Sequence, residues 1–175
     1  MITHQIKSAV RDIPDFPKPG IIFKDITPIL KDPDLCVNIV DAFVAQLKGS
    51  HIDAVAGLES RGFLFGLTLA TKLGVPFVPV RKAGKLPFTI KQKAYKLEYG
   101  TAIIELHTDA FESGKHILIH DDLLATGGTA LAASELIIEM GGVISGFCFV
   151  VGLSLLKGRK RLTPVCDRIV ILADY

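Results

Sequence analysis

Two adjacent acids and a glycine–threonine turn stand together in the run from His116 to Thr129, HILIHDDLLATGGT. An apolar stretch leads into Asp121 and Asp122, and a short loop then opens a helical segment. Within Ala125-Thr126-Gly127-Gly128-Thr129 the glycines let backbone N–H groups come close to an anion. The start of the following helix adds a partial positive charge. Thr126 and Thr129 add hydroxyl donors. Such a cradle suits a phosphate, and it lacks the GK[ST] ending of a Walker loop. Carboxylates beside a phosphate repel it unless something lies between. Ribose hydroxyls and a magnesium ion are the natural intermediaries, because carboxylates accept hydroxyl hydrogen bonds and hold metal-bound water. Asp, Thr and Gly also favour plain turns and helix caps. The specificity therefore lies in the whole string, not in GGT.

A second cluster is basic. Residues 81–97 carry Arg81, Lys82, Lys85, Lys91, Lys93 and Lys96 and no acid. Gly84 and Pro87 predict a loop rather than a helix. It reads either as a solvated basic loop or as a mobile flap that neutralises a polyanion. Glu98 follows directly and has a basic neighbour to pair with. Arg61, in Glu59-Ser60-Arg61-Gly62, either opens a solvent-facing helix or enters a site. Phe23, in a proline-rich arm, reads by itself as a core aromatic.

These residues need a scaffold. The segment Phe16–Pro28 is rich in proline and predicts an ordered irregular arm. Leu35, Ile39, Val40, Phe43, Val44 and Leu47 mark one face of a helix that Gly49 stops. Ala54–Gly57, Val75–Val80, Thr101–Leu106, Ile117–Ile119, Phe147–Val151 and Arg168–Leu172 predict strands. Helices are predicted over Arg61–Leu73 and from about Gly128 to Met140. Near-continuous apolar strands alternating with helices indicate an α/β fold: a Rossmann-like, twisted, mostly parallel sheet with helices on both faces. In such sheets ligands lie beyond the carboxyl ends of the strands, where the acid pair and the Glu59–Gly62 segment fall.

The segment Ile117–Thr129 resembles the phosphoribosyl-pyrophosphate (PRPP) signature of the type I phosphoribosyltransferases, in the form found on the adenine-using branch. Four further stretches agree in order: FPKPGIIFKDITP (Phe16–Pro28), GLESRGFLFG (Gly57–Gly66), RKAGKLP (Arg81–Pro87) and YKLEYG (Tyr95–Gly100). With the intervening segments the resemblance covers nearly the whole chain. It implies a single domain over 1–175, with an N-terminal hood over about 1–33 and a flexible catalytic loop over about 82–97. The implied activity transfers the 5-phosphoribosyl group from PRPP to adenine, giving AMP and pyrophosphate. A 6-oxopurine phosphoribosyltransferase and a non-catalytic PRPP-binding regulator are the alternatives.

The resemblance also distributes roles. Ala125, Thr126, Gly127, Gly128 and Thr129 bind the 5-phosphate, and Asp121 and Asp122 the ribose. Arg61, Arg81, Lys82 and Lys85 meet the pyrophosphate, some of them reaching it from a partner subunit. Glu98, Arg61 and Lys85 are the catalytic candidates, Glu98 through the purine. Backbone groups of Ile22 and Lys24 read adenine, Phe23 packs on it, and Leu153 covers it from the other side. Mg2+ is the expected cofactor, bound mainly through PRPP and pyrophosphate, with Asp121 and Asp122 reaching it through water. A homodimer is implied, and a cis peptide between Ser60 and Arg61 is expected. His120 stands where the family usually has an apolar residue, and it reads either as a strand-end residue with a backbone partner or as a group that makes the site pH-sensitive. Gly152 stands where many members carry an acid.

Composition limits the classes. A chain of 175 residues fits one domain. Twenty basic residues against eighteen acidic ones leave +2, which argues against a nucleic-acid coat. Outside residues 81–97 fourteen basic residues face eighteen acidic ones, so the total conceals one basic flap on a mildly acidic body. Cys36, Cys148 and Cys166 form no CxxC, which disfavours zinc or a disulfide framework and suits a cytoplasmic protein. The first residues lack a signal-peptide core. Met140–Leu156 carries no charge, but its glycines and serines predict a turn and a buried strand rather than a membrane span. His4, His51, His107 and His116 read as surface or turn residues. The basic run Lys157–Arg161 reads as an interface rim, a solvated turn or an anion site.

Overall fold

The computed structural model describes residues 1–96 and 100–175. Two strands, β1 (Arg11–Pro14) and β2 (Ile22–Asp25), pair antiparallel as a small separate sheet. Seven strands form the main sheet: β3 (Ala54–Leu58), β4 (Phe77–Lys82), β5 (Ile90–Lys96), β6 (Thr101–His107), β7 (His116–Leu124), β8 (Val143–Gly152) and β9 (Ile169–Asp174). Their order is β5-β6-β4-β3-β7-β8-β9. The pairs from β4 through β3, β7 and β8 to β9 are parallel, whereas β6 runs antiparallel to both β4 and β5. The expected mostly parallel sheet is present.

Helices cover both faces. α1 (Ile2–Ala9), α2 (Pro33–Gln46) and α3 (Gly62–Leu73) lie on one face, and α4 (Gly128–Glu139) and α5 (Gly158–Leu162) on the other. The sorting follows strand alternation. In β7, Leu118 packs with Phe43 and Leu69, while Ile117 and Ile119 pack with Ala133 and Leu136. α2 starts as its sequence dictates: Asp32 accepts the Leu35 N–H at 2.9 Å, and Pro33 takes the first turn. The uncharged Met140–Leu156 run is a turn followed by buried β8. No helix among the described residues is long and apolar enough to cross a membrane.

Several local expectations need correction. The proline-rich arm is not wholly irregular: β2 forms inside it, and a short 3-10 turn follows over Thr27–Lys31. The basic segment is not a continuous loop, because β5 occupies Ile90–Lys96 and pairs with β6 from Ile90↔His107 to Lys96↔Thr101. As an edge strand with exposed lysines, β5 lacks the apolar run that marks buried strands. α1 has a single buried residue, Ile6, too few to show periodicity. β7 continues through the acid pair to Leu124, because β8 keeps pairing with it as far as Leu124↔Gly152. His120 therefore lies in mid-strand rather than at a strand end. It is fully buried, and its Nδ1 is 3.0 Å from the Cys148 carbonyl. Burial lowers its pKa to about 4.

Candidate active site

The acid pair, the cradle and the start of the basic segment meet at the carboxyl ends of β3, β4 and β7. Gly127 caps α4 with φ +75°, a left-handed conformation that favours glycine. A side chain there would also meet the Gly158 carbonyl at 3.1 Å. The loop thus folds tightly under α5 and leaves the N-terminal turn of α4 open. Asp121, residues 123–130 and Phe149 line a small cavity of 90 Å³ at this turn. A larger cavity of 410 Å³ adjoins it, sharing Asp121 and Thr129, and extends to Glu59, Arg81, Lys82 and Tyr95. The two together make an elongated trough. A helix start lies at one end and cationic groups at the other.

Asp121 lines both cavities at the middle of the trough, and Asp122, its strand neighbour, faces the opposite side of the sheet. Burial and the neighbouring charge of Asp122 push the Asp121 pKa well up, and burial raises Asp122. The Arg61 Nε lies 3.0 Å from Asp122 Oδ2. It is not aligned for a hydrogen bond, and this buried oxygen has no donor among the described residues. An unsatisfied buried carboxylate oxygen is costly unless a ligand completes it. Hydroxyl groups or metal-bound water fit that need, so the donor set accommodates Mg2+ held through water. No group of three metal-binding side chains occurs among the described residues.

At the cationic end Glu59 organises the donors. Arg81 meets it through Nη2 at 3.1 Å and Nε at 3.3 Å, and the Lys82 N–H donates to it at 2.9 Å. The Arg81 hydrogen bonds hold the Glu59 carboxyl below its usual range against the opposing cost of burial. Arg81 also donates to the Lys85 carbonyl at 3.3 Å. Sequence reasoning named the cations and missed Glu59, although it stands in the quoted GLESRG stretch.

The hood meets the acid pair through Arg61. Its guanidinium lies 5.5 Å from the centre of the Phe23 ring, while its Nε faces Asp122. Phe23 makes an edge contact with Phe16 at 5.2 Å. Among the described residues β2 has one strand partner, β1; Ile22 and Lys24, two residues apart, share an edge. The Lys24 ammonium is tied to Asp12 at 2.7 Å and lies over the Tyr175 ring at 4.2 Å. The Leu153 N–H donates to the Leu124 carbonyl at 2.9 Å, which places Leu153 just past β8 beside the acid-bearing strand. The cis peptide falls one residue earlier than expected, at Glu59–Ser60, and a second precedes Pro17. Glu98 lies outside the described residues.

Two further residues enter that the motifs did not single out. The Arg161 Nη1 lies 3.5 Å from where a Gly128 Cβ would stand, so part of the basic run flanks the cradle. Tyr95 brings its hydroxyl to Thr129. For Tyr95 the signal was its place in YKLEYG; for Arg161 only its charge.

The chain is similar to known proteins over nearly its whole length. The family model described as a phosphoribosyl transferase domain matches residues 29–168. An adenine phosphoribosyltransferase of Cytophaga hutchinsonii is 53% identical over 175 residues, covering 100% of this chain and 97% of the relative. The crystal structure of adenine phosphoribosyltransferase from Thermoanaerobacter pseudethanolicus superposes with a TM-score of 0.94 at 46% identity, over 99% of each chain. The Saccharomyces cerevisiae enzyme, solved with an imino-altritol bisphosphate and adenine, gives 0.92 at 42% identity over 98% of each chain. The chain belongs to the phosphoribosyltransferase family, on its adenine phosphoribosyltransferase branch.

Proposed function

We propose that this protein transfers the 5-phosphoribosyl group from PRPP to adenine, giving AMP and pyrophosphate. The observation that carries the reading is the trough itself, with a helix-start cradle at one end, Asp121 in the middle with Asp122 directly behind it in the strand, and Arg81 and Lys82 at the other end. PRPP has the same order of groups: a 5-phosphate, ribose hydroxyls and a pyrophosphate.

In this reading the backbone of residues 125–129 and the Thr126 and Thr129 hydroxyls hold the 5-phosphate, with Arg161 beside it. Asp121 and Asp122 accept hydrogen bonds from the ribose hydroxyls. Arg61, Arg81, Lys82 and Lys85 receive the charge that the leaving pyrophosphate develops, where fixed cations lower the barrier most. Mg2+, when bound through PRPP and pyrophosphate, supplies further charge neutralisation. The backbone of Ile22 and Lys24, the Phe23 ring and Leu153 position adenine, and Glu98 serves the purine. The residues between β4 and β5, rather than the whole segment 82–97, close over the site and exclude water that would hydrolyse PRPP. We read the chain as one cytoplasmic catalytic domain working as a homodimer, without membrane or nucleic-acid partners.

The test supplies PRPP, Mg2+ and one base at a time and measures nucleotide and pyrophosphate. Adenine is expected to turn over. Turnover of hypoxanthine or guanine instead would make it a 6-oxopurine enzyme, and PRPP binding without turnover on any base would make it a sensor.

A further inference from the structure

Glu105 is an acid in the middle of an apolar strand, between Ile104 and Leu106, and it is completely buried. β6 lies between β4 and β5 in the sheet, so Glu105 pairs with Arg81 on one side and Gln92 on the other. Its carboxylate has no cationic partner among the described residues. Instead it accepts backbone N–H groups from three consecutive residues beyond β4: Gly84 at 3.0 Å, Lys85 at 2.8 Å and Leu86 at 2.7 Å. A fourth bond comes from the Gln92 amide at 3.1 Å.

Successive N–H groups converging on one point form a nest suited to an anion. Here the anion is built into the chain. Gly84, with φ +79°, lets the backbone curl around it. These four donors keep the carboxyl ionised, with its pKa lowered to about 2 although burial opposes this. The same turn presents the Lys85 carbonyl to Arg81 Nη1, and the Arg81 fork is completed by Glu59. A continuous set of contacts thus runs from buried Glu105, through the 84–86 turn, to the guanidinium that borders the trough.

We propose that Glu105 is a positioning residue for the pyrophosphate end of the site. Its carboxylate shapes the turn that carries Lys85 and buttresses Arg81, without touching substrate. This rests on the reading of the trough as a PRPP site. A mere core acid would set stability alone. A positioning acid sets the affinity for the pyrophosphate-bearing substrates and leaves the base side unchanged.

Glu105→Gln replaces one accepting oxygen with an amide that opposes the Gly84 and Gln92 donors. The KM for PRPP, and for pyrophosphate in the reverse direction, is expected to rise about ten-fold or more, the scale of one lost charge-assisted bond. The KM for adenine should stay within about two-fold. Gln92→Ala, a milder change at an exposed residue, should shift the same constants by about two- to five-fold, and Glu105→Asp should restore part of the loss. Hydrogen exchange at the Gly84–Leu86 amides should speed up in both Glu105→Gln and Gln92→Ala. Unchanged KM values for PRPP and pyrophosphate in Gln92→Ala and in folded Glu105→Gln, with faster exchange at those amides, would overturn the proposal. Failure of the unaltered protein to use PRPP would instead overturn the site reading, and the amide exchange would still report the brace.

Discussion

The hydroxyl oxygens of Tyr95 and Thr129 lie 3.1 Å apart. One belongs to the edge strand β5, the other to the first turn of α4. Their contact ties the basic segment to the phosphate cradle across the trough that both residues line. If the phenol donates, the threonine hydroxyl keeps its own proton for a phosphate oxygen. Tyr95→Phe removes the donor and keeps the ring that packs beside the α4 core. The KM for PRPP should rise about five-fold, near 1 kcal/mol for a net hydrogen bond, with the melting temperature almost unchanged. Steady-state kinetics at saturating adenine measure it.

Asp121→Asn with Asp122→Asn should reduce kcat/KM for PRPP by two orders of magnitude or more, about 3 kcal/mol, while leaving the fold intact. The direction of the stability change separates function from structure. Both carboxyl groups titrate higher in the folded chain than in an open one, first because of burial. The folded state therefore binds protons more tightly, and stability falls as pH rises from the ordinary carboxyl range towards the raised values. The double amide removes that dependence. Its melting temperature at neutral pH should equal or exceed that of the unaltered protein. A large drop would assign the pair to the core.

The acid limb of stability should have a different origin. Asp25 accepts Arg11 at 2.6 Å and the Thr27 N–H at 2.9 Å, and its pKa is lowered to about 2, chiefly by the Arg11 bond. A lowered carboxyl contributes stability that is complete above its unfolded pKa and lost as pH falls through the folded one. Between about pH 5 and about pH 2 the melting-temperature gap between the unaltered protein and Asp25→Asn should close. Thermal scans across that window test it, and a constant gap would exclude the linkage.

How much of this was readable in the chain depends on sequence distance. Asp121, Asp122 and the 125–129 cradle are contiguous, so their joint chemistry shows in one string. The helices α2, α3 and α4 and the parallel strands also show, because buried faces leave period and run length. The braces do not. Glu59 meets Arg81 from 22 residues away, and Glu105 reaches Leu86 from 19. The first depends on β3 and β4 lying side by side and the second on β6 inserting between β4 and β5, an order that no local pattern states. β5 is hidden for the same reason its lysines were conspicuous: a solvent-facing edge strand carries the composition of a loop.

Gly127→Ala should injure both fold and site. Its φ of +75° strains any residue with a Cβ, and the added methyl would press on the Gly158 carbonyl. A loss of about 1–2 kcal/mol in stability is expected. The KM for PRPP should rise more than that of adenine, because the displaced backbone is the cradle. Equal rises in both constants would point to general loosening.

Arg161 tests the electrostatics of the same cradle without disturbing its backbone. It is exposed to solvent. Its guanidinium nonetheless flanks Gly128 at the start of α4. An exposed cation near a phosphate gains modestly in water and is screened by salt over about 10 Å at 0.1 M. Arg161→Ala should therefore raise the KM for PRPP about two- to five-fold at low ionic strength. The difference should shrink as salt is added. Arg161→Glu should enlarge the effect in the same direction, and neither change should alter the KM for adenine. An effect independent of salt would mean that Arg161 acts by packing α5 against the cradle rather than by charge.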